Sequence, residues 1–168
     1  VYAGWVEESE AEVKYQLEED GEWIVDTFAR ALEKVYDGGT IKVLRDFEIS
    51  TYHMFKKTIT ITSDDTATEP YTIKRASDFT PVNSSEVMLT VVHKGEYGQA
   101  DFDDDVTLYL NNITIDGGGE DGIITTDSLI SLGYANLVLG DGASLQNNNN
   151  KGGRGSGVNS FGGNITLE

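Results

Sequence analysis

The sequence predicts a mostly β protein folded as a parallel β-helix, a solenoid of short stacked strands under an N-terminal strand-and-helix cap. Three observations carry this expectation. Asn112-Ile113-Thr114-Ile115-Asp116-Gly117 recurs as Asn136-Leu137-Val138-Leu139-Gly140-Asp141-Gly142, and again as Asn164-Ile165-Thr166-Leu167. The Asn-to-Asn spacings of 24 and 28 residues fall in the period range of solenoids, whose units bury their apolar faces only by stacking. The chain holds 19 Gly and 2 Pro, a balance that suits turn-rich β structure. Tight Asn-Gly hairpin signals between neighbouring strands are largely missing, which speaks against an antiparallel sandwich.

Residues 1–37 form the predicted cap. Val13, Tyr15 and Leu17 alternate with Lys14, Gln16 and Glu18, the pattern of a half-buried strand closed by Asp20-Gly21. Asp26 is positioned to N-cap a helix whose Phe28, Ala29, Leu32, Val35 and Tyr36 share one face. Asp37-Gly38-Gly39 supplies the glycine that commonly ends such a helix.

Residues 38–168 form the predicted coils. Strands are expected at Ile41–Leu44, Ile59–Thr62, Tyr71–Lys74, Leu89–Val92, Thr107–Leu110, Ile113–Ile115, Leu129–Leu132, Leu137–Leu139 and Ile165–Leu167. Between them lies Asp-, Asn- and Gly-rich punctuation. The repeat predicts inward rows of Ile113 with Leu137 and Ile165, and of Ile115 with Leu139 and Leu167. It also predicts a structural ladder of Asn112, Asn136 and Asn164 at one corner, their amides satisfying backbone groups where strands turn. The chain stops inside a strand unit with no polar terminal repeat after it, so it reads as a portion truncated from a longer solenoid.

Composition narrows the function. A formal charge of −17 opposes nucleic acid, whose phosphates require clustered Lys and Arg, and opposes anionic membrane surfaces. No apolar run reaches the ~20 residues of a membrane span. The absence of Cys removes disulfides, thiolate metal sites and Cys nucleophiles.

Candidate sites are acidic. Asp101, Asp103, Asp104 and Asp105 form the densest carboxylate run, and Asp116 to Gly122 forms a second acidic loop containing Asp121. Oxygen ligands of this kind suit Ca2+, but neither an EF-hand nor a nonapeptide Ca2+ repeat is present, so solvated turns are the simpler reading. Asp116 and Asp141 end equivalent strands and are expected about one coil, ~4.8 Å, apart, close enough to raise each other's pKa. Asp103, Asp105, Asp116, Asp121 and Asp141 are therefore the candidate ligand-binding residues. His53 and His93 have no ligand-spaced partner, which disfavours zinc and a Ser-His-Asp triad. Lys151-Gly152-Gly153-Arg154-Gly155-Ser156-Gly157 lacks phosphate-loop spacing. Among Trp5, Trp23, Tyr15, Tyr36, Tyr52, Tyr97 and Tyr109, any exposed ring could stack on a sugar.

The stretch Phe28-Ala29-Arg30-Ala31-Leu32, followed by Asp37-Gly38-Gly39-Thr40-Ile41-Lys42-Val43-Leu44-Arg45-Asp46 and Lys57-Thr58-Ile59-Thr60-Ile61-Thr62-Ser63, resembles the start of pectin-lyase-like right-handed β-helix regions. Such regions occur in large surface proteins of Gram-positive bacteria. The resemblance covers about residues 22–168 and implies a right-handed solenoid, an extracellular location, and adhesion or structural presentation to a surface glycan or protein. It also implies an alternative, the N-terminal part of a β-helix polysaccharide lyase or glycoside hydrolase, with catalysis downstream or among Asp103, Asp116, Asp121 and Asp141. No lyase-type set of calcium ligands with an Arg or Lys base is matched, so no catalytic residue is carried over. The resulting expectation is a binding or structural module, with loops 94–105, 117–127 and 146–163 supplying specificity.

Overall fold

The structure, a computed structural model, describes residues 10–81, 85–95, 106–152 and 155–168. It is mostly β, with parallel sheets sharing one apolar core.

At the N-terminal end, β1 (Val13–Tyr15) is antiparallel to both β2 (Ile24–Asp26) and β3 (Thr40–Val43). Val13 and Tyr15 turn inward and are buried. The helix α1 (Phe28–Lys34) buries Phe28, Ala31 and Leu32. Its N-cap is Thr27, not Asp26 as the sequence suggested. Thr27 is extended, and its side chain accepts from the Arg30 N–H at 3.5 Å. Asp26 instead ends β2 and accepts from the Thr27 N–H at 2.8 Å, while Glu12 accepts from the Phe28 N–H at 2.8 Å. Three side chains thereby satisfy donors that a helix start leaves orphaned. The C-cap is Val35, and Gly38 acts three residues later, its φ of +92° turning the chain into β3.

Three parallel stacks follow. Sheet A continues from β3 through β6 (Ile59–Ser63), β9 (Thr107–Asn111), β13 (Asn136–Leu139) and β17 (Ile165–Leu167). Sheet B contains β4 (Phe47–Thr51), β7 (Tyr71–Thr80), β10 (Ile113–Asp116) and β14 (Ser144–Gln146). Sheet C contains β5 (His53–Phe55), β8 (Leu89–Val92), β12 (Ile130–Gly133) and β16 (Val158–Phe161). The chain visits A, B and C in that unchanging order. Two short strands, β11 (Ile124–Thr125) and β15 (Asn149–Asn150), form a parallel pair between B and C.

Register places like residues in rows. Ile59, Leu108, Leu137 and Ile165 align in sheet A, as do Ile41, Ile61, Leu110, Leu139 and Leu167. Phe47, Ile73, Ile115 and Leu145 align in sheet B. Each fully buried aliphatic member contributes about 1.5–3 kcal/mol.

These rows correct the predicted ones. Leu137 pairs with Ile165 and Leu139 with Leu167, but Ile113 and Ile115 belong to sheet B, opposite Tyr71 and Ile73. The 24-residue repeat therefore links strands of two different sheets. The strand stacked on β13 is β9, with 29 residues between Leu108 and Leu137.

Candidate ligand-binding face

The outward side chains of sheet B form a charged row in register: Glu48, Lys74, Asp116 and Gln146. Beside it lies an open depression of about 340 Å³ lined by Asp46, Phe47, Glu48, Thr72, Lys74 and Asp116. Alternation produces this face, because Phe47, Ile73 and Ile115 take the inward positions. Asp46 accepts from the Thr72 N–H at 2.7 Å, which ties the depression's edge to β7.

Asp116 is the most constrained of these groups. One carboxylate oxygen accepts from the Gly118 N–H at 2.7 Å, and the other from Gln146 Nε2 at 3.0 Å and Asn147 Nδ2 at 2.8 Å. Burial pushes its carboxyl upward, but these donors, with Lys74 nearby, hold it below the usual carboxylate range. The donors converge because the chain after Asp116 turns tightly. Gly118 has a φ of +70°, and a Cβ on Gly117 would stand 2.7 Å from the Asn148 Cα. Lys74 pairs with Asp121, and the hydrogen bond to that carboxylate raises the ammonium pKa.

Beyond this row, the loops from sheet B to sheet C lock onto Arg75, which is 1% exposed. On β7 the alternation of Ile73 and Arg75 sends the guanidinium inward. Nη1 donates to Asn148 Oδ1 at 2.9 Å and Nη2 donates to the Glu86 carbonyl at 2.7 Å. The guanidinium stands 5.4 Å from the centre of the Phe79 ring, and its Nε is buried without a hydrogen-bond partner among the described residues. Asn148 in turn donates to the Asp127 carbonyl at 2.8 Å, and Asp127 accepts from the Glu86 N–H at 3.0 Å. Glu86 accepts from the Thr126 N–H at 2.6 Å and the Thr126 hydroxyl at 2.9 Å.

The residues expected to bind ligand are dispersed. Asp103 and Asp105 lie outside the described residues. Asp121 is exposed and paired with Lys74. Asp141 does not stack on Asp116. It follows β13 in sheet A, where its carbonyl accepts from the Asn112 N–H at 2.7 Å, whereas Asp116 ends β10 in sheet B. Asn136 Oδ1 accepts from the Asn164 N–H at 2.8 Å and from Asn164 Nδ2 at 3.3 Å. Asn112 stands at another corner, between Ser63 and Asp141, in the left-handed region at φ +46°.

His53 packs edge-on against Phe28 at 5.6 Å, and buried His93 against Tyr134 at 5.7 Å. Tyr15 is buried, Tyr109 is partly exposed, and Trp23 lies 5.6 and 5.1 Å from the ammonium groups of Lys14 and Lys42. Trp5 and Tyr97 lie outside the described residues. Among the described residues, no three acidic or His side chains cluster closely enough to hold a metal ion, and no helix is long and apolar enough to cross a membrane.

Sequence reasoning passed over Asp46, Glu48, Lys74, Arg75 and Glu86. Only Arg75 carried a local signal, since alternation from Ile73 places it on the inward face. The others become neighbours through strand register. Comparison with protein-family models, curated proteins and solved structures finds no match.

Proposed function

We propose that this chain is a right-handed parallel β-helix module of an extracellular bacterial surface protein, serving adhesion or structural presentation without catalysis. The invariant A-to-B-to-C order of short parallel strands supports the architecture. The partner class is a surface glycan or protein, engaged by the outer face of sheet B and the loops leading into sheet C.

The state of Asp116 carries the non-catalytic reading. A general acid requires a raised pKa, and this carboxyl is shifted the opposite way by donors that already occupy both oxygens. Lys74 is equally unsuited as a base, because Asp121 stabilises its charged form.

The alternative is a β-helix polysaccharide enzyme, favoured by one observation. Glu48 and Asp116 flank Lys74 in register, two strand spacings or ~9.6 Å apart. That is near the carboxyl separation of inverting glycosidases.

A glycan and cell-wall binding screen, run beside an assay for reducing ends and unsaturated products, tests both readings. Binding abolished by Glu48→Gln with no product formed supports the module. Product formation lost in Glu48→Gln or Asp116→Asn overturns it in favour of the enzyme.

A further inference from the structure

We propose that the outward face of sheet A is a second binding surface, one that takes an uncharged, β-linked hexose chain laid across the strands. The inward positions of this sheet are aliphatic, so alternation turns its polar residues outward. Thr60, Tyr109 and Val138 form one outward row in register, and Thr62 and Asn111 a neighbouring one. A Cβ on Gly140 would strike the Asn111 amide, so the glycine keeps that row level. Two aromatic rings stand on the face: Tyr109 is 38% exposed and Trp23 41%.

Trp23 is held in place. Its ring lies 5.6 Å from the Lys14 ammonium and 5.1 Å from that of Lys42, a cation–π arrangement at the β1–β3 edge of the face. Lys14 pairs with Asp64 and Lys42 with Asp65, so both charges are answered within the chain. Tyr109 lies two strands beyond β3, in β9. Neighbouring strands are ~4.8 Å apart, close to the advance of one pyranose along an extended chain. Each strand therefore meets one sugar, with aromatic rings for its C–H face and Thr and Asn groups for its hydroxyls.

Charge and area select the occupant. The chain carries a net charge of −17, yet β1, β3, β6, β9 and β13 contain no Asp or Glu. The surrounding field repels anionic chains such as polyuronates, and the two lysines on the face are already paired. Its five strands, about four residues wide, span about 250 Å², against the roughly 800 Å² that each partner of a stable protein complex buries. That area falls short for a protein partner or a second copy and suits an oligosaccharide. The face lies along the stack of strands, not at its last strand, and it is separate from the sheet B face assigned above.

Isothermal titration of cellohexaose, N-acetylchitohexaose and mannohexaose into the 168-residue chain tests this, with hexagalacturonate as the charged comparison. At least one neutral chain should bind, and the uronate more weakly or not at all. Tyr109→Ala should weaken neutral binding about tenfold, the loss of one stacked ring, whereas Tyr109→Phe, which keeps the ring, should retain it. Met54→Ala, on sheet C, should match wild type. Trp23→Ala supplies a second reading should Tyr109→Ala lose β signal in far-UV circular dichroism. No binding by any of the three neutral chains, tighter binding of the uronate, or neutral binding unmoved by both alanine variants would each overturn the proposal. So would a dimer in sedimentation velocity that Tyr109→Ala dissolves, since the face would then take a second copy. Neutral binding lost in Glu48→Gln but kept in Tyr109→Ala overturns this inference and leaves the sheet B reading standing.

Discussion

Arg75 shows how much of this chain's order hangs on single polar residues. Its side chain bridges the Glu86 carbonyl and the Asn148 amide, groups that sit in different sheet B-to-C loops. Truncation leaves two part-buried acceptors without this donor, at up to about 1–3 kcal/mol each, and opens a cavity. Arg75→Ala should lose about 3–5 kcal/mol in urea unfolding, with faster amide exchange in residues 85–88 and 147–152. Arg75→Lys should not restore it, since a point-like ammonium cannot span two separated acceptors as the planar fork does. Asp64 is the acid-sensitive counterpart. Burial pushes its carboxyl up, but the ion pair with Lys14 and two hydrogen bonds from Thr66 bring it down to about 2, from 3.8. Its folded pKa is depressed, so its contribution is complete above the unfolded value and lost as pH falls from about 3.8 toward 2. That contribution is about 2 kcal/mol. Asp64→Asn should flatten acid unfolding in that window relative to wild type.

The helix α1 is short, and little of its stability is intrinsic. Its hold comes from the cap and from packing. Thr27→Ala should cost about 0.5–2 kcal/mol, read as a lower thermal midpoint. His53 of β5 packs against Phe28, and burial lowers its pKa below 6.5. The folded state favours the neutral imidazole, so stability is full above about pH 6.5 and declines as pH drops toward the lowered folded value. Amide protection factors in residues 28–35, corrected for the intrinsic pH dependence of exchange, should fall on acidification through that range in wild type and remain level in His53→Phe. Strands were legible where apolar alternation was strong, as in Ile59–Ser63 and Leu89–Val92. They were not legible at His53–Phe55, Ser144–Gln146 or Val158–Phe161. There the residues are mixed or polar, and the extended form is imposed by the parallel neighbour on one side.

Across the whole molecule, the sequence by itself determined the β class, the turn positions marked by Gly and Asn, and the N-terminal strand-and-helix segment, because these follow from local propensity and alternation. Tertiary structure decided which strand stacks on which. Ile41 pairs with Ile61 across 20 residues, yet Ile59 pairs with Leu108 across 49. Lengthening a loop costs only about 0.6 kcal/mol per doubling, so the circuit length is free to vary and a sequence period need not equal a structural one. That freedom is why the similar strands that Asn112 and Asn136 open belong to different sheets. It is also why the charged row of Glu48, Lys74 and Asp116 was invisible in the chain. Its members lie 26 and 42 residues apart, and backbone ladders, which carry no side-chain identity, bring them together.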